Sequence, residues 1–441
     1  MTARDTIAAI ATPPGTGGVS IIRISGSEAL AIATRISGIT PAPRRATLAH
    51  IRDARGDTLD QALLLYYPAP HSYTGEDTLE IQGHGGIAVT QAVLAAVLDA
   101  GARLAEPGEY TRRAYLNNKI DLAQAEAIAD LINARSQAAV KAANRSLQGD
   151  FSRQIETLAA DLLALRIYIE AALDFPEEEI DFLREGDIAA RLQGWGERLR
   201  TLLAQSTQGR LMNDGINLVI AGKPNAGKSS LLNALVGEER AIVTAQAGTT
   251  RDIVRETILI HGMPVNILDT AGLREASDLV EQEGIRRTRQ ALNQADLILL
   301  LRDGSALDGA TDDELPANIP HLTAYNKADQ TPPAIQAQHP GLWISAKTGA
   351  GIDALRDAIA HAVGRDDREE SPYIARERHL RALHQAEQHY HDALAQLQST
   401  QNGELIAEEL RLAHEALGSI TGAVSSDDLL GHIFSSFCIG K

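Results

Sequence analysis

The chain has 441 residues, a formal net charge of -17 at pH 7 and a single cysteine. This length accommodates two to four domains, each with a sizeable core. The acidic balance argues against broad nonspecific binding to nucleic acid, so we expect any RNA contact to be local. One cysteine excludes an intramolecular disulfide, and the sequence shows neither a cationic, apolar signal segment nor an apolar run of about 18 residues. We therefore expect a cytoplasmic protein.

The N-terminal part alternates short apolar runs with turn residues, which predicts a β-rich or α+β domain. Predicted strands cover residues 6–11, 19–24, 60–67 and 78–82, and a predicted helix covers residues 88–100. The turn Gly15-Thr16-Gly17-Gly18 lacks the lysine and serine of a phosphate loop and favours a hairpin. The stretch Gly83-His84-Gly85-Gly86 favours a tight turn, and the alternative is that it holds His84 beside a ligand.

Long helices are predicted from residue 121 to residue 174, where apolar residues recur on one helical face and Gly and Pro are rare. The acidic stretch 175–179 then breaks the pattern and is expected to be an exposed turn rather than a metal site. Further helices are predicted for residues 188–203, 374–397 and 404–417. One helical domain interrupted by an inserted domain is the economical interpretation, and two separate helical domains are the alternative.

Strand-like and helix-like segments alternate from residue 216 to about residue 363, which predicts a parallel sheet with crossover helices. The stretch Gly222-Lys223-Pro224-Asn225-Ala226-Gly227-Lys228-Ser229 follows the first of these strands and matches G-x-x-x-x-G-K-[ST]. Its glycines let backbone N–H groups turn towards phosphate oxygens. Lys228 can reach the β- and γ-phosphates, and the Ser229 hydroxyl suits Mg2+.

Four more motifs follow in the order that a guanine nucleotide site requires. They are Gly248-Thr249-Thr250-Arg251-Asp252, Asp269-Thr270-Ala271-Gly272, Asn326-Lys327-Ala328-Asp329 and Ser345-Ala346-Lys347. A threonine hydroxyl of the first motif suits Mg2+ in a switch segment, and Asp269 at a strand end suits Mg2+ through water. Asp329 can accept hydrogen bonds from guanine N1–H and from its exocyclic amine, which adenine does not offer. The nucleotide is therefore predicted to be GTP.

One position departs from the small-GTPase pattern, because Leu273 stands where a water-orienting glutamine is expected. Candidates to replace it are the nearby carboxylates Asp278, Glu281 and Glu283. A monovalent cation near Asn225 is a candidate for the positive charge that an arginine finger would supply. The alternative is that these acids only face solvent.

The chain ends in Phe437-Cys438-Ile439-Gly440-Lys441. A lone cysteine is ordinarily a small buried hydrophobe or an incidental thiol. The alternative is a mobile tail that delivers Cys438 and Lys441 to a site elsewhere.

Taken together, these motifs resemble the bacterial tRNA modification GTPases of the MnmE family, also called TrmE. The resemblance also includes three stretches outside the nucleotide motifs, and it covers essentially the full length. These stretches are Ser72-Tyr73-Thr74-Gly75-Glu76-Asp77, Gln82-Gly83-His84-Gly85-Gly86 and Asp121-Leu122-Ala123-Gln124-Ala125-Glu126-Ala127. The resemblance implies an α/β and α+β multidomain chain. It assigns residues 1–118 to a folate-binding and dimerisation domain, 119–212 and 369–441 to a discontinuous helical domain, and 213–368 to an inserted Ras-like GTPase domain.

The resemblance also implies an activity. The family works as a homodimer with the FAD-containing partner MnmG (GidA) and places an aminomethyl-type group, such as carboxymethylaminomethyl, on C5 of the wobble uridine of certain tRNAs. The one-carbon unit comes from a tetrahydrofolate derivative, and K+ and Mg2+ are the ions implied. Two rival hypotheses stay open, namely a switch protein that binds ribosomes or RNA, and a folate transferase regulated by GTP.

Site residues carried over from the family are expectations by position. The family's folate contacts match Arg23, Glu80, Lys119 and Lys441, and its K+ site matches Asn225, Thr244, Gln246 and Thr249. Its Mg2+ ligands match Ser229 and Thr250. Its catalytic acid, which acts indirectly on the attacking water, matches Glu281. Cys438 matches the family tail without a chemical role that follows from the match. The full predicted GTP-binding set is Asn225, Ala226, Gly227, Lys228, Ser229, Ser230, Thr244, Ala245, Gln246, Ala247, Gly248, Thr249, Thr250, Asp269, Thr270, Ala271, Gly272, Asn326, Lys327, Asp329, Ser345, Ala346 and Lys347.

Overall fold

The computed structural model describes residues 5–174, 188–223, 225–236, 255–269, 295–307, 316, 319–365, 373–399, 402–423, 427–435 and 437–440. The chain divides into two compact units. The first comprises residues 1–129 with 418–441, and the second comprises residues 130–417. Both divisions fall within helices, because α4 (Leu122–Asn133) and α12 (Gly403–Thr421) each continue across one of them.

A six-stranded sheet forms the first unit, with the strand order β3-β4-β5-β2-β1-β6. Its pairs are antiparallel except for β1 with β6. The strands are β1 (Ile7–Ile10), β2 (Gly17–Ser25), β3 (Thr47–Arg52), β4 (Thr58–Tyr67), β5 (Thr78–Gly85) and β6 (Arg103–Leu104). The helices α1 (Ala29–Ser37), α2 (Ile87–Asp99) and α3 (Glu109–Leu116) complete this part of the chain.

Side-chain alternation gives this sheet two different faces. Ile22, Ile24 and Ile81 belong to a buried cluster that also contains residues of α1 and α2. The intervening residues Arg23 and Glu80 must point to the opposite face, since successive side chains in a strand alternate. There the small cluster of Ile7, Ala9, Ala105 and Tyr110 is buried.

Two predictions for the glycine-rich stretches had different outcomes. Residues 11–16 connect the antiparallel strands β1 and β2, so the hairpin prediction is confirmed. The predicted tight turn at Gly83-His84-Gly85-Gly86 is wrong, because Gly83 to Gly85 end β5 and Gly86 is the residue before α2. Glycine is needed at Gly83 for close approach, not for a turn, since a Cβ there would lie 2.4 Å from Oδ2 of Asp60.

The second unit contains helices of the predicted helical part. They are α5 (Gln137–Leu147), α6 (Asp150–Asp174), α7 (Ile188–Asp214) and α11 (Glu377–Ser399), together with most of α12. The stretch from residue 121 to residue 174 is therefore three helices, which are separated at residues 134–136 and 148–149. Trp195 is buried in this unit and donates from Nε1 to the Leu158 carbonyl at 2.9 Å. The acidic stretch 175–179 lies outside the described residues.

A second six-stranded sheet has the order β12-β11-β10-β7-β9-β8. It is parallel except for β8 and β9, which a two-residue turn at His261 and Gly262 joins. Both turn residues have positive φ, 50° and 77°, as a tight hairpin requires, and so short a connection permits only antiparallel pairing. The strands are β7 (Ile216–Ala221), β8 (Arg255–Ile260), β9 (Met263–Asp269), β10 (Leu297–Asp303), β11 (His321–Asn326) and β12 (Leu342–Trp343).

The helices α8 (Lys228–Val236), α9 (Pro333–Gln336) and α10 (Ile352–Ala362) accompany this sheet. A continuous apolar core includes Leu218 and Leu299 of the sheet, Leu231 of α8 and Leu355 of α10. Because β7, β9, β10, β11 and β12 run in one direction, their carboxyl ends meet at one edge, which is where ligands of such sheets bind.

The C-terminal residues belong to the first unit. The last helix, α13 (Asp427–Ser435), contributes Leu430 and Phe434 to a cluster with Leu122 and Phe437. Among the described segments, no helix has the length and apolar character needed to cross a bilayer.

Candidate functional site

The loop after β7 has the backbone geometry of a phosphate cradle. Gly222 and Gly227 have φ values of 148° and 93°, in the region that favours glycine. A Cβ on Gly222 would lie 2.2 Å from the Leu301 carbonyl oxygen, and one on Gly227 would lie 2.2 Å from Nδ2 of Asn326. Glycine is thus required at both ends of the loop, and Asn225 between them also has a positive φ, 66°.

The first residue of α8 points back into this loop. Lys228 opens the helix, and its Nζ donates to the carbonyls of Gly222 at 2.8 Å and Lys223 at 3.0 Å. Ser229 and Ser230 are exposed on the first helical turn. A helix N-terminus supplies unpaired N–H groups and a positive dipole end, so this arrangement suits a phosphate chain with a hydroxyl beside it for Mg2+.

Asn326 joins this loop to the loop that follows β12. Its side chain is buried, its Nδ2 donates to the Ala226 carbonyl at 2.9 Å, and its Oδ1 accepts from the backbone N–H of Ala346 at 3.0 Å. Asn326 therefore fixes the distance between the phosphate loop and the segment predicted to contact guanine.

Asp329 and Ser345 form the part of the site that suits a base. Ser345 Oγ donates to Asp329 Oδ1 at 2.7 Å, and the same Oγ accepts from the Thr348 N–H at 3.2 Å. The hydrogen bond from Ser345, with a smaller contribution from Lys347, holds the pKa of the Asp329 carboxyl below its usual range. Asp329 is exposed, so it presents an ionised carboxylate that only accepts hydrogen bonds.

Lys327 is held by a carboxylate at the end of the neighbouring strand. It has a left-handed backbone, with φ 65°, and its Nζ pairs with Asp303 at the end of β10. Burial alone would raise the pKa of Asp303, but hydrogen bonds from Lys327 and Ser305 outweigh it and lower the pKa. The pair ties β11 to β10 beside the base-binding segment.

A second group of polar residues lies in the first unit. Arg23 and Glu80 face each other across β2 and β5, and Arg23 donates from Nε and Nη2 to Glu80 Oε1 at 3.1 and 2.9 Å. The guanidinium carbon lies 5.6 Å from the ring centroid of Tyr73 and 5.8 Å from that of Tyr110. The structure thus brings two predicted folate contacts, Arg23 and Glu80, together beside two aromatic rings.

The segment that carries Tyr73 is held by several hydrogen bonds. Tyr73 Oη and Thr111 Oγ1 are 2.8 Å apart, and Asn117 Nδ2 donates to the Thr74 carbonyl at 2.6 Å. Burial raises the pKa of the Tyr73 hydroxyl, so this phenol stays protonated at neutral pH. Tyr73 is therefore a fixed, uncharged neighbour of Arg23.

Lys119 and the C-terminal tail also contact elements near this group. Lys119 is exposed and donates from Nζ to the Pro70 carbonyl at 3.1 Å, in the segment that leads to Tyr73. The Cys438 carbonyl accepts from the Gly108 N–H at 3.4 Å, and the Cys438 side chain is exposed. A Cβ on Gly440 would lie 2.3 Å from the Ile10 carbonyl oxygen, so the tail packs against β1.

Comparison with known proteins decides the family. A model described as the MnmE helical domain matches residues 122–438, and one described as the GTP-binding protein TrmE N-terminus matches residues 6–119. The tRNA modification GTPase MnmE of Dichelobacter nodosus (strain VCS1703A) is 61% identical over 452 residues, which cover 100% of both chains. The one of Stutzerimonas stutzeri (strain A1501) is 52% identical, and the match covers 100% of this chain and 99% of the relative.

The chain belongs to the MnmE family. The predicted resemblance and fold class are thereby confirmed, with a TrmE-type N-terminal domain, a helical domain in two chain segments and a P-loop sheet domain. Among solved structures, the G domain of the T. maritima FeoB iron transporter is 22% identical and covers 33% of this chain and 98% of that chain. Its TM-score of 0.23 is too low to support a conclusion.

Several of the site residues expected from the MnmE family are not among those that the structure describes. Asp269 ends β9 opposite Ile220, which places its backbone at the same sheet edge as the phosphate loop. The residues outside the described ranges are Thr244, Ala245, Gln246, Ala247, Gly248, Thr249, Thr250, Thr270, Ala271, Gly272, Glu281 and Lys441.

Sequence reasoning missed two features of this MnmE-family chain. Asp303 was not singled out, although it follows the apolar run 297–301 and an acid at a strand end is a recognisable signal. Asp60 was also missed, and it contacts the predicted candidate His84 through both carboxylate oxygens. Nothing in the local sequence around Asp60 indicates that contact.

Proposed function

We propose that this GTPase uses its nucleotide cycle to drive a folate-dependent modification of tRNA. In this proposal it works with the FAD-containing partner MnmG to add a carboxymethylaminomethyl-type group at C5 of the wobble uridine. The observation that best supports GTP binding is the position of the Asn326 side chain. It joins the phosphate loop to the segment of Asp329 and Ser345 at one edge of the sheet. Membership of the MnmE family over the full chain supports the tRNA part.

Guanine is the base that Asp329 suits best. An ionised carboxylate accepts hydrogen bonds and donates none, so it favours a base edge with two neighbouring N–H donors. Guanine offers N1–H and the exocyclic amine, whereas adenine at the same edge offers an acceptor. A site whose acceptor would be left facing another acceptor discriminates strongly against the wrong base.

The ions in this proposal are Mg2+ and K+. Ser229, exposed at the start of α8, and Thr250 are the proposed Mg2+ ligands. Asn225, Thr244, Gln246 and Thr249 are the proposed K+ ligands, and K+ would supply positive charge to the phosphates during hydrolysis. Glu281 is the proposed catalytic acid, which acts indirectly on the attacking water.

The one-carbon donor is proposed to bind at Arg23 and Glu80, with Lys119 and Lys441 as further contacts. A guanidinium and a carboxylate held side by side suit a ligand that carries both N–H donors and acidic groups, as a folate does. The neighbouring rings of Tyr73 and Tyr110 suit a flat heterocycle. Cys438 is proposed as a residue of the same region, without a chemical role.

The remaining proposals concern assembly and organisation. We propose a homodimer that acts on tRNA in the cytoplasm, where MnmG supplies much of the tRNA-binding surface because this chain is strongly acidic. The proposed domains are residues 1–118 for folate binding and dimerisation, 119–212 and 369–441 for the helical domain, and 213–368 for the GTPase domain. GTP hydrolysis would then drive a conformational cycle in the complex.

The test is mass spectrometry of nucleosides from tRNA of cells that lack the gene and carry a plasmid copy. The copies are wild type, Lys228→Ala, Glu281→Ala and, as a matched control, Glu283→Ala. We expect the modified wobble uridine with wild type and Glu283→Ala only, while purified Glu281→Ala keeps its GTP affinity. The modified nucleoside in cells without the gene would contradict the function, and full activity of Glu281→Ala would contradict the assignment of the acid.

A further inference from the structure

An exposed imidazole in the first unit is held by a buried carboxylate. Oδ1 of Asp60 lies 2.6 Å from Nδ1 of His84, and Oδ2 accepts from the His84 backbone N–H at 2.8 Å. The His84 side chain is 73% exposed, whereas that of Asp60 is 7% exposed. One carboxylate thus fixes both the backbone and the ring of a residue that faces solvent.

Close contacts with neighbouring strands hold the chain on both sides of His84. A Cβ on Gly83 would lie 2.4 Å from Asp60 Oδ2, and one on Gly85 would lie 2.5 Å from the Gly17 carbonyl oxygen. The His84 carbonyl accepts from Ser20 Oγ at 3.0 Å. Gly83 thus leaves the space that the Asp60 carboxylate occupies, and the Ser20 contact holds the backbone of His84.

The hydrogen bond to Asp60 determines which ring nitrogen can take a proton. Burial by itself raises the pKa of the Asp60 carboxyl, but hydrogen bonds from the backbone and ring of His84 outweigh it and lower the pKa. An ionised carboxylate only accepts, so Nδ1 must donate to Asp60 and Nε2 of the neutral imidazole carries the lone pair. Among the described residues, Nε2 has no hydrogen-bond partner.

His84 belongs to the strand that also carries Glu80. Glu80, Gln82 and His84 are every second residue of β5 and so lie on the same face of the strand. Gln82 Nε2 lies 3.4 Å from Glu80 Oε2. Four residues of a strand span about 13 Å. A long, flat ligand that is held at one end by Arg23 and Glu80 reaches the imidazole if it lies along β5 in the direction of residue 84.

We propose that Asp60 and His84 form an acid–base dyad for one-carbon transfer in this unit, with His84 as the proton-transferring residue and Asp60 as its positioning residue. This inference rests on the proposed function. The substrate class is a nucleophile that carries a proton and takes a carbon from a nitrogen of the folate. The new bond joins that carbon to the nucleophile, and the bond from the carbon to the donor nitrogen breaks. The proton of the nucleophile goes to Nε2 of His84 and from there to the released nitrogen, so no oxidant or reductant is needed in this step.

The experiment is a single-turnover assay with the full chain, the flavoprotein partner, tRNA, GTP, the reduced folate and, as the nucleophile, glycine, the amine that a carboxymethylaminomethyl group contains. The variants are His84→Gln, Asp60→Asn and the control His50→Gln, which changes an exposed histidine on β3 of the same sheet. We expect the modification rate to fall about 100-fold or more in His84→Gln and less in Asp60→Asn, since general acid–base catalysis contributes about 10²–10⁴-fold. GTP hydrolysis and folate affinity should stay at the wild-type level, which shows that each variant is folded.

A merely structural role for His84 is distinguished by rescue. In His84→Ala, added imidazole should restore part of the rate and should shift the pH dependence of the reaction, whereas the rate of His50→Gln should not respond. Equal rates for wild type and His84→Gln would overturn the dyad alone, and so would a slow His84→Ala that imidazole does not rescue. Absence of product with wild type would instead overturn the proposed function, and the dyad with it.

Discussion

The side-chain amide of Asn326 donates to the carbonyl of Ala226 at 2.9 Å, across 100 residues of sequence. The same amide accepts from Ala346 at 3.0 Å. The residue that ends β11 is thus a brace between the loop that suits phosphate and the loop that suits the base. Because both contacts are made by one buried side chain, the spacing of the two loops depends on it.

Asn326→Ala should weaken nucleotide binding more than it weakens the fold. The substitution leaves the Ala226 carbonyl and the Ala346 N–H without their partner, and each such loss costs about 1–3 kcal/mol when the group is buried. We expect the dissociation constants for GDP and GTP to rise by about 10- to 100-fold, measured with a fluorescent guanine nucleotide.

A matched control is Asn266→Ala on β9 of the same sheet. Asn266 accepts from Thr257 Oγ1 at 2.9 Å and has no contact with either loop among the described residues. Its substitution should affect stability and leave nucleotide affinity unchanged. Equal losses of affinity in both variants would argue that Asn326 has no special role in the site.

Asp329→Asn should change the preferred base. The asparagine amide can donate a hydrogen bond where the carboxylate only accepts, so it suits the carbonyl that xanthine carries in place of the guanine amine. We expect GTP affinity to fall by about 100-fold or more and xanthosine triphosphate binding to appear, as measured by competition against labelled nucleotide. Retained preference for GTP would show that Asp329 does not contact the base.

The contrast between Asn326 and the phosphate loop shows what could be predicted from sequence. The phosphate loop is one contiguous stretch from Gly222 to Ser229 with glycine, lysine and serine at fixed spacing, so its pattern can be recognised in the sequence. Asn326 and its partners Ala226 and Ala346 were all predicted as GTP-binding residues, but the hydrogen bonds between them were not, because these depend on how β11 and β7 are placed in the sheet. Tertiary contacts of this kind leave no periodic signal.

His84 illustrates a second limit. Glycines on both sides of a polar residue are typical of a turn, and that interpretation was wrong because Gly83 and Gly85 make room for Asp60 and Gly17. The sequence alone does not distinguish a glycine that is required for close approach from one that is required for a left-handed backbone. Only the position of the approaching atom distinguishes them, and that position is set by β4 and β2 rather than by neighbouring residues.

Glu80→Gln should weaken folate binding without unfolding the first unit. It removes the charge that pairs with Arg23 and keeps the shape of the side chain, so the loss falls on a charge-assisted contact. We expect the dissociation constant for a reduced folate, measured by calorimetry, to rise by about 10-fold or more.

Glu28→Gln is the control for that variant. It removes an exposed pair with Arg35, 3.4 Å apart, in the same unit, and exposed pairs contribute little. Folate affinity should be unchanged in it. If Glu80→Gln binds the folate with wild-type affinity, the ion pair between Arg23 and Glu80 does not take part in folate recognition.

Glu109→Gln should destabilise the first unit at neutral pH but not in acid. Arg103 and Arg113 each donate to Oε1 at 2.8 Å, and the Glu106 N–H donates to Oε2 at 2.8 Å. Burial raises the pKa of Glu109, but these hydrogen bonds outweigh it and lower the pKa below its usual value of 4.5. A carboxyl with a lowered pKa in the folded state contributes stability above the unfolded pKa and loses it as the pH falls through the folded pKa.

The measurement is hydrogen exchange of the amides of β1, which lies beside β6 and the Arg103 that it carries. At pH 7 the free energy of opening of these amides should be lower in the variant than in wild type by about 1–3 kcal/mol. This difference should shrink as the pH falls below about 4.5. Glu106→Gln changes an exposed acid that lies just before α3, and it should show no such difference at either pH. If the difference in opening free energy between Glu109→Gln and wild type grows in acid, the pKa of Glu109 is raised rather than lowered in the folded state. The arginine partners would then not stabilise the carboxylate.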